Sequence, residues 1–240
     1  MPSLYEQSFK VFQFECDPWD RMTPGAILRR AQEISTAQCE DLNINNELYR
    51  RTNTVFLLSR ISLKIMHPFT VGDTVRMETR PYAMHRAVYQ RVTTFYNEAG
   101  EAFCEIDSRW VLVDTRTHRI LRREPEGFTT PFTEQPGAEG HSFDYPAHDE
   151  LTLLREGVAG YSFCDRNKHL NNSRYADIVC DALPLEKLQK SLPKTMLLFY
   201  RSEVALGESY QLFTAPAGEN GTFFEGSHNG TRRFEAYVEW

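Results

Sequence analysis

The sequence predicts an α+β protein built in tandem, each half an antiparallel β-sheet wrapped around a long α-helix. A helical stretch followed by strand-like stretches occurs twice in the same order, with a Pro- and Gly-rich segment between the copies. At 240 residues the chain has room for two small modules.

The first helix is expected from Thr23 to about Asn46. Thr23 suits an N-cap, and Pro24 suits the first helical position, where its missing donor costs nothing. Ile27, Ala31, Ile34 and Leu42 follow at near-helical spacing. Val55 to Ile65 is rich in Leu, Ile and Val and reads as a strand that His67-Pro68 breaks. Val71-Gly72-Asp73 opens a second strand through Met77 and Thr79. Tyr89 to Tyr96 and Ala102 to Val113, joined by a turn at Asn97–Glu101, supply two more. The sheet has an apolar side to bury, and the helix is the element available to bury it.

Periodicity is lost between Arg122 and Glu150. Pro125, Pro131, Pro136 and Pro146, with Gly127, Gly137 and Gly140, mark residues 126–149 as a linker between modules 1–125 and 150–240. The second module repeats the landmarks of the first. Asp165-Arg166 echoes Asp20-Arg21, and a helix with Tyr175, Ile178, Val179 and Ala182 on one face runs until Pro184. Met196–Arg201 echoes Val55–Arg60, and Leu206-Gly207-Glu208 echoes Val71-Gly72-Asp73. Asn229-Gly230 echoes Ala99-Gly100, and Phe234-Glu235 stands where Phe103-Cys104-Glu105 stood. A duplicated unit of this kind is a double hot-dog, in which one copy is free to keep the chemistry while the other shapes a pocket.

Composition narrows the function. Hydrophobic residues make up 41% and charged residues 25%, which suits a packed core rather than a disordered chain. The net charge of −6 argues against a nucleic-acid partner. No apolar run is long enough to span a membrane, and the first twenty residues read as no secretory signal, so a cytoplasmic protein is expected. Five scattered cysteines with no Cys-x-x-Cys pair suggest reduced thiols. The cations are 21 Arg against 6 Lys, and pairs such as Arg29–Arg30, Arg50–Arg51 and Arg122–Arg123 could face anions; balance by nearby carboxylates is the plainer reading.

The densest polar cluster is Asp165-Arg166-Asn167-Lys168-His169-Leu170-Asn171-Asn172, directly before the second helix. Asn and Asp there can simply cap the helix. Asp, His and three Asn in eight residues exceed what capping needs. A loop entering a helix with an amide side chain and an imidazole can surround with fixed donors an oxyanion of the kind that thioester cleavage generates.

Asp165-x-Asn167-x-His169-Leu170-Asn171-Asn172 with Tyr175 resembles the Asp-x-Asn-x-His-Val-Asn-Asn signature of the plant and bacterial acyl-acyl carrier protein thioesterases. Leu198-Phe199-Tyr200-Arg201-Ser202-Glu203-Val204 resembles that family's Leu-Glu-Tyr-Arg-Arg-Glu-Cys segment, 34 residues beyond His169. The resemblance implies that Asp165, Asn167, His169 and Glu203 are catalytic. It places Val204 where the family has a Cys, so no thiol nucleophile stands at that position. It also implies hydrolysis of fatty acyl groups from acyl carrier protein in fatty acid biosynthesis, with water as co-substrate and neither metal nor organic cofactor. The first half would form the acyl-chain pocket, with Ile27, Phe56, Leu58 and Trp110 as candidate lining residues that ordinary core packing explains equally well.

Two mechanisms fit those residues: a carboxylate activating water, or Asp165 attacking to give an acyl anhydride. A Cys164–His169 pair is a rival nucleophile, favoured only by proximity. His141, Asp144, His148 and Asp149 fit no standard ligand spacing, and neither a Gly-x-Ser-x-Gly elbow nor a phosphate-binding Gly loop is present. A hot-dog acyl-coenzyme A thioesterase, a hot-dog dehydratase and a non-catalytic acyl-binding module are the alternatives. The sequence leaves open a homodimer and the acyl chain length. Arg174 and Arg201 lie closest in sequence to the site as candidates for receiving an acidic carrier.

Overall fold

A computed structural model describes residues 4–133 and 140–240; Pro136 and Gly137 of the expected linker lie outside them. The first half runs β1 (Tyr5–Lys10), α1 (Pro24–Asp41), α2 (Asn46–Thr52), β2 (Thr54–Ile65), β3 (Thr74–His85), β4 (Val88–Tyr96), β5 (Ala102–Asp114) and β6 (Arg119–Ile120). The second runs β7 (Thr152–Val158), α3 (Arg174–Cys180), α4 (Leu185–Lys190), β8 (Thr195–Tyr200), β9 (Ser209–Ala217), β10 (Gly221–His228) and β11 (Thr231–Glu239).

The strands form one antiparallel sheet in the order β1-β3-β4-β5-β2-β8-β11-β10-β9-β7, with β6 pairing β5. The halves join where β2 pairs β8, Ser62 opposite Leu197. This is the expected double hot-dog. Side chains of both helices and both half-sheets share one core, among them Ile27, Ile34, Leu63, Ile178, Leu198 and Phe234. The helices meet closely: a Cβ on Gly25 would lie 1.8 Å from Asp177 Oδ1.

The first helix is shorter than its periodicity suggests. Thr23 caps it, accepting from the Ala26 amide at 3.2 Å. It stops at Asp41 because Asn43 takes a left-handed conformation (φ 60°), and Asn45 then caps α2 through the Glu47 and Leu48 amides. The second half's helix has seven residues against eighteen in the first. Its buried face holds Tyr175, Ile178 and Val179, and Pro184 heads the short α4.

Matching hydrogen bonds confirm the repeat and correct its register. The Met22 amide donates to Phe69 O and the Leu170 amide to Val204 O, both at 2.8 Å. The Gly72 amide donates to Val11 O, and the Gly207 amide to Ala159 O. Asp20 and Lys168 take the same left-handed turn position, φ 64° and 63°. Asp165 therefore corresponds to Asp17, and His169 to Arg21; the echo of Asp20-Arg21 was three residues out. Likewise Arg201 corresponds to Met66, since their amides donate to Arg233 O and Phe103 O respectively. The match of Met196–Arg201 to Val55–Arg60 rested on apolar composition, which does not fix strand register.

The described part of the linker crosses the outer face of the sheet. Phe143 and Tyr145 pack on Phe199, and Tyr145 also stacks on Phe223 and Tyr237. His141 is buried, 2.9 Å from Ser62 Oγ through Nδ1 and 2.7 Å from Glu105 Oε1 through Nε2. His148 stacks on Phe223.

Candidate active site

The polar cluster forms a tight loop closed by a bridge between Cys164 and Leu170. The Asp165 amide donates to His169 O at 3.1 Å, and the Lys168 amide to Asp165 O at 2.9 Å. Lys168 makes the turn in the left-handed region. Two further contacts press the loop onto the segment after β8. The Leu206 amide donates to Lys168 O at 2.9 Å, and His169 bridges Ala205. Asp165, Asn167 and His169 are thus held in one loop, and Glu203 lies on the neighbouring segment one residue before Val204.

Their side chains are not bonded to one another. Asp165 Oδ1 accepts from the Asn167 amide at 2.8 Å, and Oδ2 accepts from Asn171 Nδ2 at 3.3 Å. The Asn167 side chain and Glu203 are exposed. His169 is half-buried, and its Nδ1 lies 3.3 Å from Leu170 O. Donation there by Nδ1–H leaves Nε2 as the basic nitrogen of the neutral ring. Asn171 accepts from the Ser173 amide and hydroxyl, and Tyr200 donates its hydroxyl to Asn172 O at 2.8 Å. The Asn171 side chain therefore shapes the loop, and the Asn172 backbone carbonyl ties it to β8.

The matching loop of the first half shows what changed. Asp17 accepts from the Trp19 and Arg21 amides, and its Oδ2 takes a two-pronged pair from Arg21 Nε and Nη2 at 3.0 and 2.7 Å. In the second half His169 replaces Arg21. Among the described residues no ion pair ties up Asp165. One copy has closed its carboxylate in a salt bridge, and the other has left it available.

Two clefts meet beside this carboxylate. The outer one is lined by Asp165, Asn171 and Cys164 of the loop, by Arg29 and Gln32 of α1, and by Arg174. The inner, more apolar one lies between α1 and the first half-sheet and is lined by Leu28, Ala31, Leu58, Ile61, Ile106 and Trp110. Gln32 and Ser173 line both. Of the side chains expected at an acyl pocket, Leu58 and Trp110 line the inner cleft. Ile27 lies in the main core, and Phe56 packs with Tyr49, Tyr89 and Phe128 in a separate cluster.

Arg29 and Arg174 both pair with Asp177, at 2.8 and 2.9 Å. Arg201 pairs with the buried Glu235. Burial and the adjacent Asp165 carboxylate push the Cys164 thiol up, away from thiolate. Gln32 and Ser173 were missed from sequence because they matter only where α1 crosses the second half. Val204 is fully buried, and its amide meets the Tyr175 hydroxyl, whose acidity burial suppresses.

Residues 2–130 match the acyl-ACP thioesterase N-terminal domain and residues 159–239 the acyl-ACP thioesterase C-terminal domain. A palmitoyl-acyl carrier protein thioesterase of Gossypium hirsutum is 22% identical over 90% of the chain, and an acyl-acyl carrier protein hydrolase of Cuphea viscosissima is 21% identical over 97%. Both are named as chloroplastic, and the chain spans 56% and 60% of their lengths. In solved structures, an acyl-ACP thioesterase from Bacteroides thetaiotaomicron has a TM-score of 0.90 at 18% identity, covering 99% of this chain and 97% of that one. A 12:0-ACP thioesterase from Umbellularia californica has a TM-score of 0.81 at 18% identity, covering 100% and 98%. With both family domains matched in order across most of its length, the chain belongs to the acyl-ACP thioesterase family.

Proposed function

We propose that the protein hydrolyses the thioester of fatty acyl-acyl carrier protein, releasing a free fatty acid and the carrier thiol. The observation that carries this reading is the Asp165 carboxylate, in no ion pair among the described residues, lining an Arg-flanked outer cleft that shares Gln32 and Ser173 with an apolar one. An acyl chain in the inner cleft would bring its thioester to Ser173 and Asp165, with the carrier's arm leaving through the outer one.

Asp165, Asn167, His169 and Glu203 are the catalytic residues of this proposal. Water adds to the thioester carbonyl carbon as a carboxylate takes its proton; the carbon–sulfur bond then breaks and the thiolate receives a proton. Asp165 lines the outer cleft and Glu203 lines neither, which favours Asp165 as the carboxylate acting at the carbonyl. The Asn167 amide and the His169 ring supply the polar groups around the developing oxyanion. Glu203, exposed on the adjoining segment, exchanges protons with solvent.

Single-turnover hydrolysis in ¹⁸O-water tests how Asp165 acts. General-base attack leaves its carboxylate unlabelled. An anhydride opened at the aspartyl carbon labels it and contradicts direct attack. We place the activity in the cytoplasm: five free, dispersed thiols fit a reducing compartment, and cell fractionation tests it.

A further inference from the structure

Glu203 stands on a segment held by two sets of contacts. One set comes from the loop carrying Asp165: the Leu170 amide donates to Val204 O, the Leu206 amide to Lys168 O, and His169 bridges Ala205. The other comes from Arg233, near the start of β11. Arg233 O accepts from the Arg201 and Ser202 amides at 2.9 and 3.0 Å, and Nη1 donates to Ser202 Oγ at 3.1 Å. Nη2 donates to Glu208 Oε1 at 2.5 Å. Glu208 Oε2 accepts from the Ala205 amide at 2.7 Å, and His228 Nε2 lies 3.2 Å from Oε1. One guanidinium therefore ties down both flanks of Glu203, Ser202 directly and Ala205 through Glu208. Glu203 itself is exposed and enters no ion pair among the described residues.

The first half holds its matching segment differently. There Phe103 takes the place of Arg233: its carbonyl accepts from the Met66 and His67 amides, and its ring packs 4.9 Å from the rings of both His67 and Phe69. Asp73 takes the place of Glu208 and accepts from the Thr70 amide at 2.7 Å. An aromatic clasp serves where Pro68 occupies the position of Glu203. Where the carboxylate is presented, an arginine and a glutamate with side chains 22% and 15% exposed replace it. Stability is a weak account of that exchange. Desolvating a charge pair is costly, and Arg233 Nε is buried with no hydrogen-bond partner among the described residues. The pair adds direction instead, because the planar fork of an arginine fixes the angle between the two groups it binds.

We propose that Arg233 is a positioning residue for Glu203: with Glu208 it forms a clasp that fixes the backbone on both sides of that carboxylate and sets it beside the loop carrying Asp165. The proposal rests on the acyl-thioester reading above, in which Glu203 takes part.

The test measures kcat and KM on one acyl-acyl carrier protein for the wild type, Arg233→Met, Arg233→Lys, Glu203→Gln and the Arg233→Met/Glu203→Gln double variant. Arg233→Met lowers kcat by about tenfold or more and moves KM by less than about twofold, as a misplaced group does and a lost substrate contact does not. Arg233→Lys keeps the charge beside Glu208 without the fork and recovers part of that loss. In the Glu203→Gln background Arg233→Met costs nothing further, because the clasp acts through Glu203. Losses that multiply, a change confined to KM, or wild-type kcat in folded Arg233→Met overturn the clasp, and so does full turnover in Glu203→Gln. If Arg233→Met does not fold, Glu208→Gln takes its place in the same cycle with the same expected result; it keeps an acceptor for the Ala205 amide and gives up the charge. Hydrogen exchange at the Ala205 amide needs no hydrolysis. It quickens in Arg233→Met and stays unchanged in Glu203→Gln; unchanged exchange in both overturns the clasp. A wild type that releases no thiol but shows this difference loses the proposed reaction and keeps the clasp.

Discussion

The Leu170 amide donates to the Val204 carbonyl at 2.8 Å, the same bond that Met22 makes to Phe69 in the first half. In the second half it holds the loop carrying Asp165, Asn167 and His169 beside the segment carrying Glu203. In the first half the corresponding clamp joins Met22 to Phe69, with Arg21 bridging Thr70, and Arg21 has already closed over Asp17. The fold thus built two similar loops, and only one retains an open carboxylate.

Asp165→Asn, His169→Ala, Glu203→Gln and Asn167→Ala are each expected to lower thioester hydrolysis by about a hundredfold or more, the scale of losing an acid–base or charge-stabilising group. Melting temperatures should stay near that of the wild type. Steady-state kinetics with thermal melts check this, and near-normal turnover in any two folded variants removes the site assignment.

Cys164→Ala should keep most activity. The thiol donates to Ala159 O at 3.7 Å and is held in its protonated form by burial and by Asp165. Abolished turnover in a folded Cys164→Ala protein would transfer the chemistry to a Cys–His pair.

Glu15 offers a stability test remote from the chemistry. It takes Arg30 at 2.7 and 2.9 Å and caps the Phe12 amide at 3.0 Å. Burial acts to raise its pKa, but Arg30 and the Phe12 amide outweigh it and hold the carboxyl below the ordinary value of 4.5. A depressed folded-state pKa means stability that is present above that ordinary value and lost as pH falls through the folded one. Glu15→Gln should cost about 2 kcal/mol at pH 7. Denaturant melts should show the gap to wild type closing in acid below pH 4.5; a gap independent of pH would mean that Glu15 acts by packing alone.

Electrostatic docking of the carrier has its own signature. Arg174 and Arg29 flank the outer cleft while sharing Asp177, and Arg201 keeps its side chain 54% exposed beside Glu235. Exposed charges attract an acidic carrier over about 8 Å at physiological salt. Rising salt should therefore lower kcat/KM for the carrier substrate more than for a short acyl thioester without a carrier. Parallel decline of both, or of neither, would rule out such docking.

Much of this was legible from residues alone. The cap at Thr23, the β2 and β5 strands and the polar loop could be read because their signals are local. The edge strands β1 and β7 gave no such signal: neither buries a residue fully, and they were not identified. The register of the repeat was misread for a related reason. Pairing is decided by hydrogen bonds between distant segments, and apolar strands such as β2 and β8 look alike at several offsets. The roles of Gln32 and Ser173 depend on α1 crossing both halves, which no spacing in the chain records.

The central claim is tested most directly by incubating the purified protein with matched ladders of acyl-acyl carrier protein and acyl-coenzyme A, following thiol release and product acid together. The account predicts equal amounts of free thiol and free fatty acid from the carrier substrates, with kcat/KM above that for the coenzyme A esters of the same chains. Binding without thiol release, an unsaturated acyl product still attached to the carrier, or preference for coenzyme A across the ladder would contradict it.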